Sequence, residues 1–169
     1  MGGGYRYALC PRCHSTDRER LVYWYIINKT KILNSSKNIR LSHIAPEKNL
    51  QKILKSFSHI KYISGDLNPL VANRKIDITN INFGNDYFDF IICNHVLEHV
   101  QDDRKAMSEL FRVLKPGGEA ILQVPISKYN KETFEDFSII LSEEREKYFG
   151  QKDHVRIYGK DYKNKKNSL

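Results

Sequence analysis

Apolar and polar positions along the chain alternate between two periods. Residues 88–93, Phe-Asp-Phe-Ile-Ile-Cys, form a short apolar run, residues 102–114 carry Ala106, Leu110, Phe111 and Leu114 at helical spacing, and residues 120–124 are again apolar and β-prone. That order predicts strand, helix, strand. Pro116-Gly117-Gly118 is expected to end the helix after Leu114, and Lys115 suits the negative end of its dipole. Two nearly continuous apolar strands joined by an amphipathic helix imply a parallel sheet covered on both faces, with a right-handed crossover. Ligands of such sheets bind beyond the carboxyl ends of the strands, so Asn94 and His95 are expected to line a crevice.

The flanking segments extend the pattern. Residues 17–33 read as a helix capped by Thr16 or Asp17, with Leu21, Val22, Trp24, Tyr25 and Ile32 on its apolar side. Residues 38–45 are a candidate first strand that turns at Pro46 into a helix reaching about Phe57. Residues 59–64 give a second strand ending in Gly65-Asp66-Leu67-Asn68-Pro69, and residues 74–79 a third. The connection between these two is too short for an ordinary helical crossover. After the fifth strand, residues 126–130 read as a loop and residues 133–149 as one or two charged amphipathic helices.

Composition narrows the class. A chain of 169 residues, 40% apolar and 28% charged, is enough for one domain with a sizeable core. No apolar run approaches membrane-spanning length and the N-terminus does not resemble a signal peptide, so a cytoplasmic location without a membrane partner is expected. The net charge of +8 is partly dispersed and partly held in residues 160–166, without a basic stripe interleaved with aromatics, so a nucleic-acid partner is not expected. Three cysteines make no disulfide framework, and Cys93 within its apolar strand reads as an inert core residue. Cys10-Pro11-Arg12-Cys13-His14 can offer two thiols to one zinc ion. A tetrahedral site needs four ligands, however, and this chain has one knuckle, so zinc is possible but free thiols are favoured, and no metal site is assigned.

The central motifs resemble those of class I S-adenosylmethionine-dependent methyltransferases of the type 11-like group: Phe88-Asp89, then residues 91–100 with Val96-Leu97-Glu98-His99-Val100, then residues 112–118 with Leu114-Lys115-Pro116-Gly117-Gly118. The resemblance implies an α/β, Rossmann-like sheet with helices on both faces and strand order 3-2-1-4-5-7-6. Within it, Asp66 would accept both ribose hydroxyls, beside Leu67, and Asp77 the adenine amino group, with Ile78 covering the ring; a turn-forming role is the alternative for Asp66. The first motif departs from the usual acid and glycine-rich turn, because His43 stands for the acid and Ala45 and Glu47 for the first two glycines. His-Ile-Ala-Pro-Glu at 43–47 resembles a variant turn of one branch of the family. Pro46 at the first helical position is then expected to leave the helix N-terminus aimed at the cofactor's carboxylate, with Glu47 meeting its ammonium group or serving only the helix dipole.

Residues 149–159 resemble the acceptor side of the same family, and the resemblance ends before the last strands. His154 is the expected base for an acceptor hydroxyl, with His95 behind it. Arg156 is expected to bind an acidic substrate or hold the loop, and a structural ion pair with Asp153 and the preceding acids is the alternative. The expected organisation is a leader over 1–16, a methyltransferase domain over 17–162 missing its last strand pair, and a basic tail over 163–169. An uncovered fifth strand would then favour pairing with a second copy. The implied activity is methyl transfer to an oxygen or nitrogen nucleophile of a small-molecule or sugar acceptor. The alternative is a noncatalytic module that binds a partner or nucleic acid.

Overall fold

In the computed structural model, which describes residues 9–165, β1 (Ile39–Ile44), β2 (Ile60–Asp66), β3 (Arg74–Lys75), β4 (Phe88–Asn94) and β5 (Leu114–Gln123) form one sheet. Its order is β3-β2-β1-β4-β5 and every pairing is parallel. Parallel strands are buried on both faces, and the alternation along β4 shows how. Phe90 and Ile92 join Leu41 in a core beneath α1 (Asp17–Lys29) and α2 (Lys48–Lys55), while Phe88, Ile91 and Cys93 face α3 (Asp103–Val113). Burial pushes the Cys93 thiol well above its usual range, as an inert core cysteine requires.

Several boundaries differ from the sequence expectation, each for a local reason. α1 opens with a capping box, Thr16 and Glu19 bonding each other's backbone amides, but it stops at Lys29; Ile32 belongs to a separate 3₁₀ turn. Val22 and Ile26 are its buried face, whereas Leu21, Trp24 and Tyr25 are exposed and do not pack in the core. α3 is capped by Asp102 and ends one residue early, so Leu114 is already extended and Phe111 points outward; Ala106, Met107, Leu110 and Val113 form the stripe. Pro116-Gly117-Gly118 therefore does not stop the helix. It forms an irregularity inside β5, where the register against β4 jumps and Gly117 takes a φ of 75°.

β3 keeps only two residues, because the chain turns at Asp77 and bridges back to Asn80. The segment joining it to β2 has no helix, as the length argument expects; instead the Asn73 side chain accepts hydrogen bonds from the Ser64 amide and hydroxyl. The predicted helices over 133–149 reduce to α4 (Ser142–Phe149), preceded by β6 (Phe134–Glu135). β6 pairs antiparallel with β7 (Arg156–Ile157) as a separate two-stranded sheet, and α5 (Tyr162–Lys165) follows. Among the described residues no strand pairs with the outer edge of β5. A groove of about 380 Å³ runs there between Leu21, Tyr25 and residues 120–123. No helix among the described residues is long and apolar enough to cross a membrane.

Candidate functional site

Strand register sets the site. Ile44 pairs with Gly65 on one side and with Cys93 on the other, and Asn94 pairs with Gln123. Ala45, Asp66, Asn94 and Gln123 therefore stand in one row across the carboxyl ends of four neighbouring strands, the position at which open α/β sheets bind ligands. Two atoms in the row, Asn94 Oδ1 and Gln123 Oε1, are buried and lack a hydrogen-bond partner. Buried acceptors left open in this way suit a ligand that carries N–H or O–H donors. Gln123 is not among the residues the sequence motifs single out; its one local signal is a polar residue ending an apolar strand.

The turn after β1 carries the densest side-chain hydrogen bonding of the row. Ala45 adopts a φ of 47°, the left-handed region that favours glycine, and its amide donates to Gly65 O at 2.8 Å. Contrary to the sequence expectation, Pro46 does not open α2: the helix begins at Lys48, and Glu47 is its N-cap residue with extended dihedrals. The Glu47 side chain turns inward instead of capping. Its carboxylate accepts from His43 Nε2 at 2.7 Å and from Asn94 Nδ2 at 3.3 Å, while His43 Nδ1 lies 2.9 Å from the Tyr62 hydroxyl. A carboxylate only accepts, so Nε2 carries the proton and, in the neutral ring, Nδ1 accepts from Tyr62. Burial alone would raise the Glu47 pKa, but the hydrogen bond and charge of His43, with help from Asn94, bring it below the usual carboxylate value. Glu47 thus serves neither the dipole alone nor a ligand alone: it ties β1, α2 and β4 together.

Asp66 ends β2 and remains half-exposed toward the crevice, with one carboxylate oxygen accepting from the Asn68 amide at 2.8 Å. Gly65 before it is required, since a Cβ there would collide with Ile76. Leu67 is 64% exposed beside it. Asp77 is exposed and folds back on its own loop, accepting from the Thr79 amide and hydroxyl, while Ile78 is buried in the core beneath it. One oxygen of Asp77 is committed to that turn.

Beyond β4 the chain makes a tight turn. His95 adopts a φ of 53° and its amide donates to Gln123 O at 2.8 Å, which binds the turn to β5. A 3₁₀ turn, Leu97–His99, then buries Glu98 to 1% exposure. Its carboxylate lies 3.2 Å from His95 Nδ1, outside hydrogen-bond geometry, and neither oxygen has a hydrogen-bond partner. His154 is brought against the same turn, its ring edge-on to His99 with centroids 4.7 Å apart. Burial, then the neighbouring His99 ring, lower the His154 pKa, and Glu98 and Asp153 oppose this only in part.

Arg156 is what holds these pieces together. Its side chain is fully buried: Nη1 donates to the Leu97 and Val100 carbonyls, Nη2 to Gln101 O at 2.7 Å, and Nε to Glu135 at 2.9 Å. Val155 adds a backbone bond to Glu98 O at 3.0 Å. Of the expectations for Arg156, holding the loop and pairing with an acid describe the structure, the acid being Glu135, with Asp103 3.8 Å away. Arg156 also borders the cleft lined by His154 and Ile157. Asp153 faces His99 instead.

The remaining features lie apart from this row. The cavity between α1 and α2, about 550 Å³, shares none of the strand-end residues and is lined by Cys13, Tyr23, Leu50 and Ile53 among others. Cys13 sits there with its thiol 3.1 Å from the Ser15 hydroxyl, a hydrogen bond that lowers its pKa. Among the described residues, Cys10 and Cys13 gather no third donor for a metal. A smaller cleft of about 300 Å³, lined by Ser127, Tyr129, Phe149, His154, Arg156 and Ile157, opens between the segment after β5 and β7.

Residues 43–122 match the family model described as a methyltransferase domain. A segment of 75 residues is 36% identical to a demethylmenaquinone methyltransferase of Streptomyces avermitilis, covering 44% of this chain and 29% of that protein, so the match spans less than a third of the relative. Among solved structures, a methyltransferase-like protein of Bacillus halodurans superimposes with a TM-score of 0.59 at 20% identity, over 82% of this chain and 62% of that one. The [4+2]-cyclase SpnF superimposes with a TM-score of 0.66 at 12% identity, over 89% of this chain and 56% of that one. At such identities the structures speak for the fold alone, and one of them names a different reaction. The sheet order and the match over 43–122 agree with one another: this part of the chain is similar to a methyltransferase domain, and the whole shares the Rossmann-like fold of the solved structures named above.

Proposed function

We propose that this chain binds S-adenosylmethionine across the carboxyl ends of β2, β1 and β4 and transfers its methyl group to a nucleophile on a small molecule. The observation that carries the reading is the row of Ala45, Asp66, Asn94 and Gln123, with the buried acceptors Asn94 Oδ1 and Gln123 Oε1 unpartnered. When bound, the cofactor supplies a methyl group already activated by a sulfonium, so the protein has only to align the reactants and exclude water. Asp66 holds the ribose hydroxyls, with Leu67 beside them. The free oxygen of Asp77 and the backbone around Ile78 receive the adenine. The Ala45-Pro46-Glu47 turn and Asn94 receive the methionine end, and His95 lies at the floor of the crevice.

The acceptor is the less determined half. The sequence alone favours an oxygen or nitrogen nucleophile on a small molecule or sugar. A relative from Vibrio vulnificus named as a ubiquinone/menaquinone biosynthesis C-methyltransferase, 34% identical over 76 residues, argues for a carbon nucleophile as the acceptor to try first. In either case the acceptor enters from the cleft that His154 borders. Calorimetric titration with S-adenosylmethionine and with its demethylated product tests the reading. Micromolar binding that Asp66→Ala weakens at least tenfold is expected; a folded protein that binds neither would leave the noncatalytic module as the better account.

A further inference from the structure

Glu98, His99 and His154 place one ligand atom each within 4.8 Å of one another. We infer that these three residues form a binding site for a divalent transition-metal cation at the carboxyl end of β4.

Three observations meet there. Glu98 is 1% exposed and neither carboxylate oxygen finds a hydrogen-bond partner. A buried carboxylate without a donor is costly, and a cation is one of the few groups that can compensate it. Second, the donors come from two segments that the fold fastens together: Val155 bonds the backbone of Glu98, and Arg156 bonds the carbonyls of Leu97, Val100 and Gln101. The site is thereby built into the packing and does not depend on a chance meeting of surface side chains. Third, the His99 Nδ1 atom lies 3.2 Å from Asp153 Oδ2, which leaves Nε2 for the ion and supplies the carboxylate that commonly orients a metal-bound imidazole.

Two imidazoles and one carboxylate select the ion class. Imidazole suits first-row transition metals better than magnesium or calcium, and three protein ligands leave positions open for water or substrate. With metal–ligand bonds of about 2.1 Å, two donors on one ion stand at most about 4.2 Å apart, so the side chains draw in by under about 1 Å on binding. His95 Nδ1, 3.2 Å from Glu98 Oε1, is near enough to act as a further ligand or as the acceptor of a proton from bound water. The site borders the cleft that His154 lines, so the cation is placed to hold an oxygen of the methyl acceptor and to favour its deprotonated form. This role, which narrows the acceptor to molecules bearing an oxygen ligand, rests on the methyltransferase reading; the metal site itself does not. It also gives His154 the part of a ligand in place of a base.

The test is titration of the full chain with Co²⁺, followed by its visible d–d absorption, in a Cys10→Ser, Cys13→Ser background that removes the thiols as competing ligands. One equivalent is expected to bind, and Glu98→Gln, His99→Ala and His154→Ala each to weaken binding by more than about 100-fold. Circular dichroism checks the fold of each variant; should His154→Ala not fold, the isosteric Glu98→Gln and the more exposed His99 position decide. Absence of saturable binding in the parent, or unchanged binding in Glu98→Gln, would overturn the site. Titration of the same proteins with S-adenosylhomocysteine separates the two readings: metal bound without cofactor product defeats the methyltransferase proposal alone, and the reverse defeats the metal site alone.

Discussion

Two glutamates, Glu47 and Glu98, sit a few residues from the ends of neighbouring strands, and both are largely buried, yet their surroundings are opposite. Glu47 accepts from His43 and Asn94 in a network that continues to Tyr62. Glu98 has no hydrogen-bond donor on either oxygen. A satisfied buried carboxylate rigidifies the structure around it, whereas an unsatisfied one costs stability until something binds. The difference separates framework from binding site along a single sheet edge. It is visible in hydrogen bonding alone.

The largest effect should come from breaking what positions the unsatisfied region. Arg156→Ala removes the buried donor of three loop carbonyls, at a cost of about 3–5 kcal/mol in chemical denaturation, and should abolish Co²⁺ binding with it. The next test sets the two glutamates against each other. Glu47→Ala strands the buried His43 and should destabilise the protein by about 2 kcal/mol, while Glu98→Gln in metal-free protein should change stability by less than about 0.5 kcal/mol or raise it. Equal losses from both would erase the distinction.

Acid titration sharpens it further. The folded-state pKa of Glu47 is depressed, so its contribution is fully present above the ordinary carboxylate pKa and is lost as pH falls toward the folded value. Thermal melts across that range should show a shallower acid slope in Glu47→Gln than in the parent; identical slopes would show that the His43 pairing stabilises nothing. The smallest effect is expected at Ala45, where relief of the left-handed backbone by Ala45→Gly should be worth no more than about 1 kcal/mol, offset by the greater freedom of glycine in the unfolded chain.

Much of this architecture was legible in the sequence because it follows local rules. The apolar run of β4, the helical stripe from Ala106, and the acid closing β2 each announce themselves within a few residues, and the short link before β3 follows from counting. What was not legible depends on partners far along the chain. Arg156 bonds carbonyls some 55–59 residues away, and a carbonyl leaves no mark on a sequence. The meeting of His154 with Glu98 and His99 is equally nonlocal. Pro46 failed as a helix start for a different reason: the pull of His43 and Asn94 on the Glu47 side chain holds Glu47 extended, which delays the helix to Lys48. Phe111 misled because it lies inside α3 next to buried Leu110 but on the helix's exposed side, so an apolar residue at near-helical spacing does not belong to the stripe.

The central claim is that ligand binds along the strand-end row and not in the larger cavity between α1 and α2. The most direct measurement is amide chemical-shift mapping of the labelled protein titrated with S-adenosylhomocysteine. The account expects the largest shifts at Ala45, Asp66, Asn94 and His95, with Gln123 following. Shifts confined to Cys13, Tyr23 and Ile53 would contradict it.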